Sequence, residues 1–149
     1  MLALSVLFTA TMSSAWAIEP AQLAGDWLAP AEDADDVDAL ITLSPSAQPG
    51  TWRGRIKAIR VTRPDQKWHD DSLCNGCPPP KKGQPFKGLE VVWDMREADG
   101  KLVSGRILDP GDGRVYDCEM RLSADGKTLA VTAYKGLKLL GHTMSWQRP

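Results

Sequence analysis

The segment WHDDSLCNGCPPPKKGQP, residues 68–85, holds two of the three cysteines and one of the two histidines of this chain. Cys74 and Cys77 form a Cys-x-x-Cys pair, and His69 precedes them. This spacing is compatible with a zinc site, with a redox-active dithiol, and with a disulfide that closes a small loop. The choice among the three decides between an enzyme and a binding protein.

The N-terminal segment bears on that choice because it predicts the compartment in which the cysteines fold. MLALSVLFTATMSSAWA is apolar at first and ends in Ala15-Trp16-Ala17, which fits the small-x-small rule for signal-peptidase cleavage, although no Lys or Arg lies near Met1. We expect residues 1–17 to be an export signal and residues 18–149 to form one mature domain, periplasmic or secreted. The alternative is a buried N-terminal element of a cytosolic protein. No segment is apolar for the roughly 20 residues that a membrane-spanning helix needs, so none is predicted.

A zinc site would need about four ligands in tetrahedral geometry. The candidates are His69, Asp70, Cys74, Cys77 and Cys118. The chain has no second Cys-x-x-Cys and no pair of neighbouring histidines, and an exported protein folds where thiols tend to be oxidised. We therefore rank a metal site below a disulfide, and predict no metal and no cofactor.

Catalysis by cysteine is also disfavoured. The attacking thiolate of a thioredoxin-like centre sits at a helix N-terminus, whereas Cys77 runs into Pro78-Pro79-Pro80, which favours polyproline II. Cys–His catalysis is weaker still, because neither His69 nor His142 lies in a recognisable motif. The sequence also shows no carboxylate pair, Ser-His-Asp set or phosphate-binding loop. We predict that the protein is not an enzyme.

A disulfide between Cys74 and Cys77 suits both the predicted compartment and the turn-forming Asn75-Gly76 between them. So small a ring stabilises by about 2 kcal/mol or less, and it would shape the loop more than support the fold. Cys118 would then remain as an inward-facing free thiol. The alternative pairing, of Cys118 with either of the others, would tie the loop to the body of the protein.

The formal net charge of −1 gives no global attraction to nucleic acid or to an acidic membrane surface. No basic, aromatic-rich motif for binding single-stranded nucleic acid occurs, so we predict no nucleic-acid partner. Locally, an acidic run is followed by a basic one, and we interpret both as solvated faces of neighbouring strands or loops. The acidic run is Glu32, Asp33, Asp35, Asp36 and Asp38, and the basic run is Arg53, Arg55, Lys57, Arg60, Arg63 and Lys67.

The hydrophobic pattern predicts an all-β protein. Almost every periodic segment after Ala17 has a period of two, and no window of a dozen residues keeps an apolar stripe at helical spacing. Asp-Gly pairs at 99–100, 112–113 and 125–126 are typical of tight hairpins. The predicted strands are residues 25–29, 38–44, 51–62, 88–97, 101–109, 114–123, 128–136 and 139–147, with a long loop over 63–87.

Eight short strands joined mostly by hairpins leave two exposed edges unless the sheet closes on itself. We therefore predict a single eight-stranded antiparallel barrel, mostly an up-and-down meander, whose interior is filled by side chains or holds one small ligand. A phase change in the third strand predicts a bulge near Ala58. The alternation places Leu89, Val91, Trp93, Met95, Tyr116, Cys118, Met120 and Leu122 inside the barrel.

Two groups of motifs carry a resemblance to known proteins. Gly25-Asp26-Trp27 and the closing Trp146-Gln147-Arg148 resemble the Gly-x-Trp and Arg of lipocalin-like barrels, in which the Arg packs over the Trp at the closed end. The segments GLEVVWDM, GRILDPGDGRVYDCEMRLSADGKTLAV and YKGLKLLGHTMSWQR are similar to a family of bacterial exported proteins, domain of unknown function 2147. The resemblance runs from Gly25 to Arg148. It implies a lipocalin-like barrel closed by Trp27 and Arg148, and no established activity.

The chain departs from the pattern of that family at three places. Ser104 stands in place of a Gly, Thr132-Ala133 in place of Arg-Gly, and His142 in place of an Arg. If the two family arginines serve an anionic ligand, this member has lost both and would bind something else.

We expect the barrel to hold a small hydrophobic or amphipathic molecule, with the loop 63–87 as a lid over its open mouth. The expected ligand-binding residues are the inward row Trp93, Met95, Tyr116, Met120 and Val131, together with His142. The candidates for an anion-facing mouth are Arg60, Arg106 and His142, with solvent-facing positions favoured for the two arginines. The alternative is an envelope accessory or protein-interaction module with a filled barrel, no ligand and an unknown protein partner.

Overall fold

Eight antiparallel strands close into one barrel, in which each strand pairs with its neighbours in the chain and the last pairs with the first. The computed structural model describes residues 19–32 and 36–149, so the predicted export signal lies outside the described residues. The strands are β1 (Gly25–Ala29), β2 (Ala39–Pro45), β3 (Thr51–Ile59), β4 (Glu90–Ala98), β5 (Lys101–Leu108), β6 (Val115–Leu122), β7 (Thr128–Tyr134) and β8 (His142–Gln147). Two 3-10 turns, Pro20–Gln22 and Lys138–Leu140, are the helical segments of the described part of the chain. The predicted all-β, eight-stranded antiparallel barrel is confirmed.

The Asp-Gly pairs lie at the hairpins that the sequence predicts. Asp99 and Gly100 form the two-residue connection between β4 and β5, and both have positive φ, 51° and 73°. Positive φ at both positions is the conformation of a type I′ turn, which matches the twist of the flanking strands. The pairs at 112–113 and 125–126 connect β5 to β6 and β6 to β7.

The bulge predicted in β3 is present at Lys57. Ala58 pairs with Leu40, whereas Ile56 pairs with Ile41, so Lys57 is the extra residue. The extra residue allows both Ile56 and Ile59 to face the interior, although they are three positions apart. A β-bulge therefore accounts for the phase change of the apolar pattern in β3, as the sequence predicts.

Strand β4 departs from simple alternation. Val91 and Val92 are both buried, whereas Trp93 is only half-buried. The β3–β4 register shifts on either side of Val92, and Asp94 has a positive φ of 55°. Irregularities of this kind turn the following side chains to the other face of the sheet. The prediction that Trp93 faces the interior is therefore wrong: its ring lies on the outer face, with the Nζ atom of Lys81 at 4.5 Å from the centroid.

Ser104 marks a related irregularity on β5. The register between β5 and β6 shifts at this point, and the φ of Ser104 is 58°, in the left-handed region. The Gly that the family resemblance implies at this position would adopt that conformation without strain.

The end of the barrel at which β1 begins and β8 ends is filled by large side chains. An eight-stranded barrel is just wide enough for its inward side chains to fill, and here they do so. The fully buried residues at this end include Trp27, Leu43, Met95, Leu102, Met120, Leu129 and Val131.

Trp27 and Arg148 close that end. The indole Nε1 of Trp27 donates a hydrogen bond to the carbonyl oxygen of Leu23 at 3.0 Å. The guanidinium carbon of Arg148 lies 3.9 Å from the centroid of the Trp27 ring. The same guanidinium donates to the backbone carbonyls of Ala24 at 3.0 Å and Asp26 at 3.3 Å. The two side chains have the arrangement that the lipocalin-like resemblance implies.

The long connection between β3 and β4, residues 60–89, is held by its own backbone. A disulfide joins Cys74 and Cys77, whose Cα atoms are 5.4 Å apart, and both half-cystines are buried. The N–H of Cys74 donates to the carbonyl of Gln84, and its carbonyl accepts from the N–H of Gly83, each at 2.9 Å. The cystine therefore organises the loop around itself.

Residues 78–81 form a turn rather than the polyproline II segment that the three prolines predict. The N–H of Lys81 donates to the carbonyl of Pro78 at 2.9 Å and closes the turn. The ammonium of Lys81 lies 3.3 Å from a carboxylate oxygen of Glu90, whose side chain is on the outer face of β4. The loop therefore packs against the outside of the barrel.

Candidate functional site

The end of the barrel opposite Trp27 and Arg148 opens into a cavity of about 370 Å³. The cavity lies where the β1–β2, β5–β6 and β7–β8 connections meet. Its wall is apolar and consists mainly of strand residues. These are Ala29, Pro30, Val37, Ala39, Ile41, Ile56, Val91, Ile107, Leu108, Pro110, Ala133, Met144 and Trp146.

Small side chains explain why this end is hollow. Ala29 pairs with Ala39 across β1 and β2, and Ala133 pairs with His142 across β7 and β8. At the filled end the inward positions carry Trp, Leu and Met instead. Because the barrel is only just wide enough for large side chains, alanine on three strands leaves room for a small molecule.

Alternation keeps the wall apolar and the outer face polar. On β8, Met144 and Trp146 point inward, whereas Thr143 and Ser145, which alternate with them, are exposed. The wall therefore offers aliphatic, thioether and indole surface to a ligand, with no polar side chain from the outer face.

Polar side chains form the rim of the cavity. Glu32 and Asp36 come from the β1–β2 connection, Asp109 from the β5–β6 connection, Tyr116 from β6 and His142 from the start of β8. The imidazole Nε2 of His142 contacts the carboxylate of Glu32, and the backbone N–H of Glu32 donates to Oδ2 of Asp36 at 3.1 Å. These contacts hold the β1–β2 connection beside β8.

Asp109 is the rim carboxyl whose ionisation is perturbed. Burial raises its pKa, and the neighbouring charges of Asp112 and Asp36 raise it further. A hydrogen bond of 2.8 Å from the N–H of Gly111 to the carboxylate acts in the opposite direction. Burial thus removes part of the water around the ionised carboxylate, and nearby negative charges repel it.

The structure brings two of the six predicted ligand-binding residues to the cavity, namely Tyr116 and His142. Met95, Met120 and Val131 are fully buried and do not line this cavity. Alternation distinguishes inside from outside but says nothing about height along the barrel axis. The sixth residue, the tryptophan of β4, lies outside the barrel.

Of the three candidates for an anion-facing mouth, His142 lies at the cavity and the two arginines do not. The guanidinium of Arg60 lies 3.1 Å from the carboxylate of Asp38, and that of Arg106 lies 2.6 Å from Asp117. Both arginines are exposed and neither lines the cavity. The rim that the described residues form is acidic.

The β3–β4 loop is not the predicted lid. None of the described residues that line the cavity belongs to it. The Sγ atom of Cys74 lies 3.5 Å from the carbonyl oxygen of Pro110, and Gly76 packs against the backbone of Asp112 and Gly113. The cystine therefore supports the β5–β6 connection, which carries Asp109 to the rim.

Sequence reasoning missed the acidic residues as site residues. The charge pattern indicates only a solvated acidic run for Glu32 and Asp36, and no motif marks Asp109. The available signal is position, because Asp109 follows β5 and Glu32 follows β1, at the same end of the barrel as His142.

The residues considered for zinc are not assembled into a site. Cys74 and Cys77 form the disulfide, and the imidazole of His69 contacts the carbonyl of Gln66 at 2.9 Å. Cys118 is a free thiol buried inside the barrel, and burial, with a smaller contribution from the charge of Glu119, raises its pKa to about 12. Within residues 19–32 and 36–149 no group of three or more His, Cys, Asp or Glu could hold a metal ion. The alternative pairing of Cys118 with the loop does not occur.

Residues 25–148 match a bacterial protein family described as "Uncharacterized protein conserved in bacteria (DUF2147)". The chain belongs to this family. The match spans all eight strands of this DUF2147 protein, from the first residue of β1 to the arginine that follows β8.

The fold of this DUF2147 protein is similar to that of a solved lipocalin. Protein HP1028 from the human pathogen Helicobacter pylori, described as belonging to the lipocalin family, aligns with a TM-score of 0.69 and 17% sequence identity. The alignment covers 85% of this chain and 82% of the HP1028 chain. At this identity the similarity concerns the fold alone. A search of curated proteins finds no match. In the described part of this DUF2147 protein, no helix has both the length and the apolar character needed to cross a membrane.

Proposed function

We propose that this protein is an exported binding protein, periplasmic or secreted, that holds one small, partly apolar molecule in the cavity of its barrel. The observation that carries the proposal is the half-enclosed cavity of about 370 Å³ with an apolar wall. Small-molecule sites in proteins are concave and mostly apolar, with volumes of roughly 300–1,000 Å³.

The arrangement of the cavity suits a ligand with two unlike ends. At roughly 30 Å³ per molecule the cavity would hold on the order of a dozen waters, and an apolar body that displaces them from the wall gains the hydrophobic free energy of burial. The rim then supplies the few polar groups that fix orientation. Tyr116 and His142 are the candidates for that role besides the carboxylates.

We propose binding without catalysis. Of the described side chains that line the cavity, none is a Ser, Thr or Cys that could act as a nucleophile beside the His142–Glu32 contact. The free thiol of Cys118 is buried in the interior, and burial raises its pKa, which opposes formation of the reactive thiolate.

The proposal is tested by titrating the protein with fatty acids, quinones, aromatic acids and alkylamines while tryptophan fluorescence is recorded. Trp146 is the tryptophan in the wall, so a bound ligand should change its emission. Ala133→Phe, which fills the cavity, should weaken binding by about tenfold or more, equivalent to 1.4 kcal/mol. Ala130→Phe is the matched control, because Ala130 lies on the same strand and points outward. Equal binding by both variants would place the ligand elsewhere.

A protein-interaction module is the second candidate function. The cavity argues against its filled-barrel form, but Leu137, Leu139 and Leu140 are exposed in the turn before β8, Leu139 to 94%. Exposed apolar groups of this kind mark interaction surfaces. Flat titrations across the whole set of compounds, with a well-folded sample, would favour this candidate over ligand binding.

A further inference from the structure

The rim of the cavity carries negative charge from two separate connections. Glu32 and Asp36 lie on one side and Asp109 on the other, and no lysine or arginine is among the described residues that line the cavity. Within the described residues, positively charged or chargeable groups contact the rim at Glu32 and at Tyr116. His142 contacts Glu32, and the Nζ atom of Lys135 lies 5.2 Å from the centroid of the Tyr116 ring.

The carboxylates face the same space as the apolar wall. Below the rim, the interior side chains of Ile41, Ile56, Ile107 and Met144 offer no polar atom other than a thioether. A molecule that satisfies both regions must be apolar at one end and positively charged at the other. A bare metal ion would use only the rim, and the described carboxylates do not assemble a group that could hold one.

Asp109 gives the strongest reason to expect a cation. Its carboxylate lines the cavity, is partly dehydrated by burial and faces the charges of Asp112 and Asp36, and burial and these charges raise its pKa. An ammonium group at the rim would relieve both costs. An anionic head group would add to both, because opposite charges attract and like charges repel most strongly where water is partly excluded.

Resting on the proposed binding function, we infer that the ligand is an amphipathic cation: an apolar chain or ring that lies against the wall, with an ammonium group held at the rim between Asp109 and Asp36. The site therefore discriminates among apolar molecules by the charge of the head group. Fatty acids and other amphipathic anions are poor ligands.

The test compares three ligands that share one straight ten-carbon chain, namely decylamine, decanol and decanoate. Each is titrated at neutral pH, below the concentration at which it forms micelles, with tryptophan fluorescence as the readout. At this pH the amine is protonated and the carboxylic acid is ionised. Decylamine should bind about tenfold or more tightly than decanoate. Its advantage should shrink as salt is added, because part of the attraction is screened.

Asp109→Asn isolates the charge, since the amide oxygen can still accept the hydrogen bond from Gly111. The variant should bind decylamine about fivefold to tenfold more weakly and decanol as before, a change of roughly 1 kcal/mol. Glu32→Gln should likewise weaken the binding of decylamine relative to decanol. It replaces Asp109→Asn as the test if that variant does not fold. Asp125→Asn is the control, because Asp125 is exposed on the β6–β7 connection at the filled end.

The outcomes separate the charge inference from the binding function. Equal affinity for the three ligands, or tighter binding of decanoate, would overturn the inference and leave the binding function in place. If none of the three binds, and none of the wider set of compounds binds, both fail.

Discussion

Replacing Trp27 by alanine is expected to lower the free energy of unfolding by about 3–5 kcal/mol, the usual cost of truncating a buried tryptophan. The side chain is fully buried at the closed end, where its loss leaves a cavity that the surrounding strands cannot fill. The change also removes the ring under Arg148 and the hydrogen bond to Leu23. Equilibrium urea denaturation measures the loss.

Two further variants show whether the lost free energy of unfolding comes from the contacts of Trp27 with Arg148 at the closed end of the barrel. Arg148→Met keeps an apolar stem but removes the guanidinium from two backbone carbonyls, and it should cost about 1–3 kcal/mol. Trp93→Ala removes a half-buried ring on the outer face, and it should cost only about 1 kcal/mol. A Trp27→Ala loss no greater than that of Trp93→Ala would show that the barrel is not closed in this way.

Gly113→Ala is expected to lower the free energy of unfolding by about 2–4 kcal/mol, through backbone strain and overpacking together. Gly113 has a φ of 78°, which an L-residue rarely adopts, and a Cβ at this position would overlap the carbonyl oxygen of Gly76. The substitution would therefore push the cystine loop away from the β5–β6 connection. Because that connection carries Asp109, binding of decylamine should weaken as well.

Gly126→Ala is a matched control for this variant. Gly126 follows an Asp in the same type of connection and has a similar φ of 72°, but a Cβ there would meet no atom within 4 Å. It should cost about 1 kcal/mol, from the backbone conformation alone. The difference between the two variants measures the contact between Gly113 and Gly76, and losses of equal size would mean that the cystine loop does not press on the turn.

The barrel itself could be predicted because local signals agree along the whole chain. Period-two alternation, the three Asp-Gly pairs and the bulge in β3 each depend on neighbouring residues, and each is found where the sequence places it. The outward position of Trp93 could not be predicted in this way. It follows the register shifts between β3 and β4 on either side of Val92, which depend on how the two strands pair rather than on the type of residue at position 93.

The site was only partly predictable for a different reason. A cavity is the space left when small residues on several strands face the same part of the interior, as Ala29, Ala39 and Ala133 do, and this depends on the register across the whole barrel. Tyr116 and His142 could be assigned to the interior from the sequence, but the sign of charge at the rim could not. It depends on which loop residues turn inward, and alternation does not extend to loops.

The most direct test of the binding site uses the methyl groups of methionine as reporters. The chain has five methionines, of which Met95, Met120 and Met144 lie in the barrel. Met144 lines the cavity, whereas Met95 and Met120 are fully buried in the filled end. The protein is labelled with carbon-13 at the methionine methyl groups, and Met144→Leu assigns the reporter signal. Addition of decylamine should move the Met144 resonance and leave those of Met95 and Met120 nearly unchanged. Movement of Met95 and Met120 with Met144 unmoved, or no movement with any ligand of the set, would contradict a ligand site in this cavity.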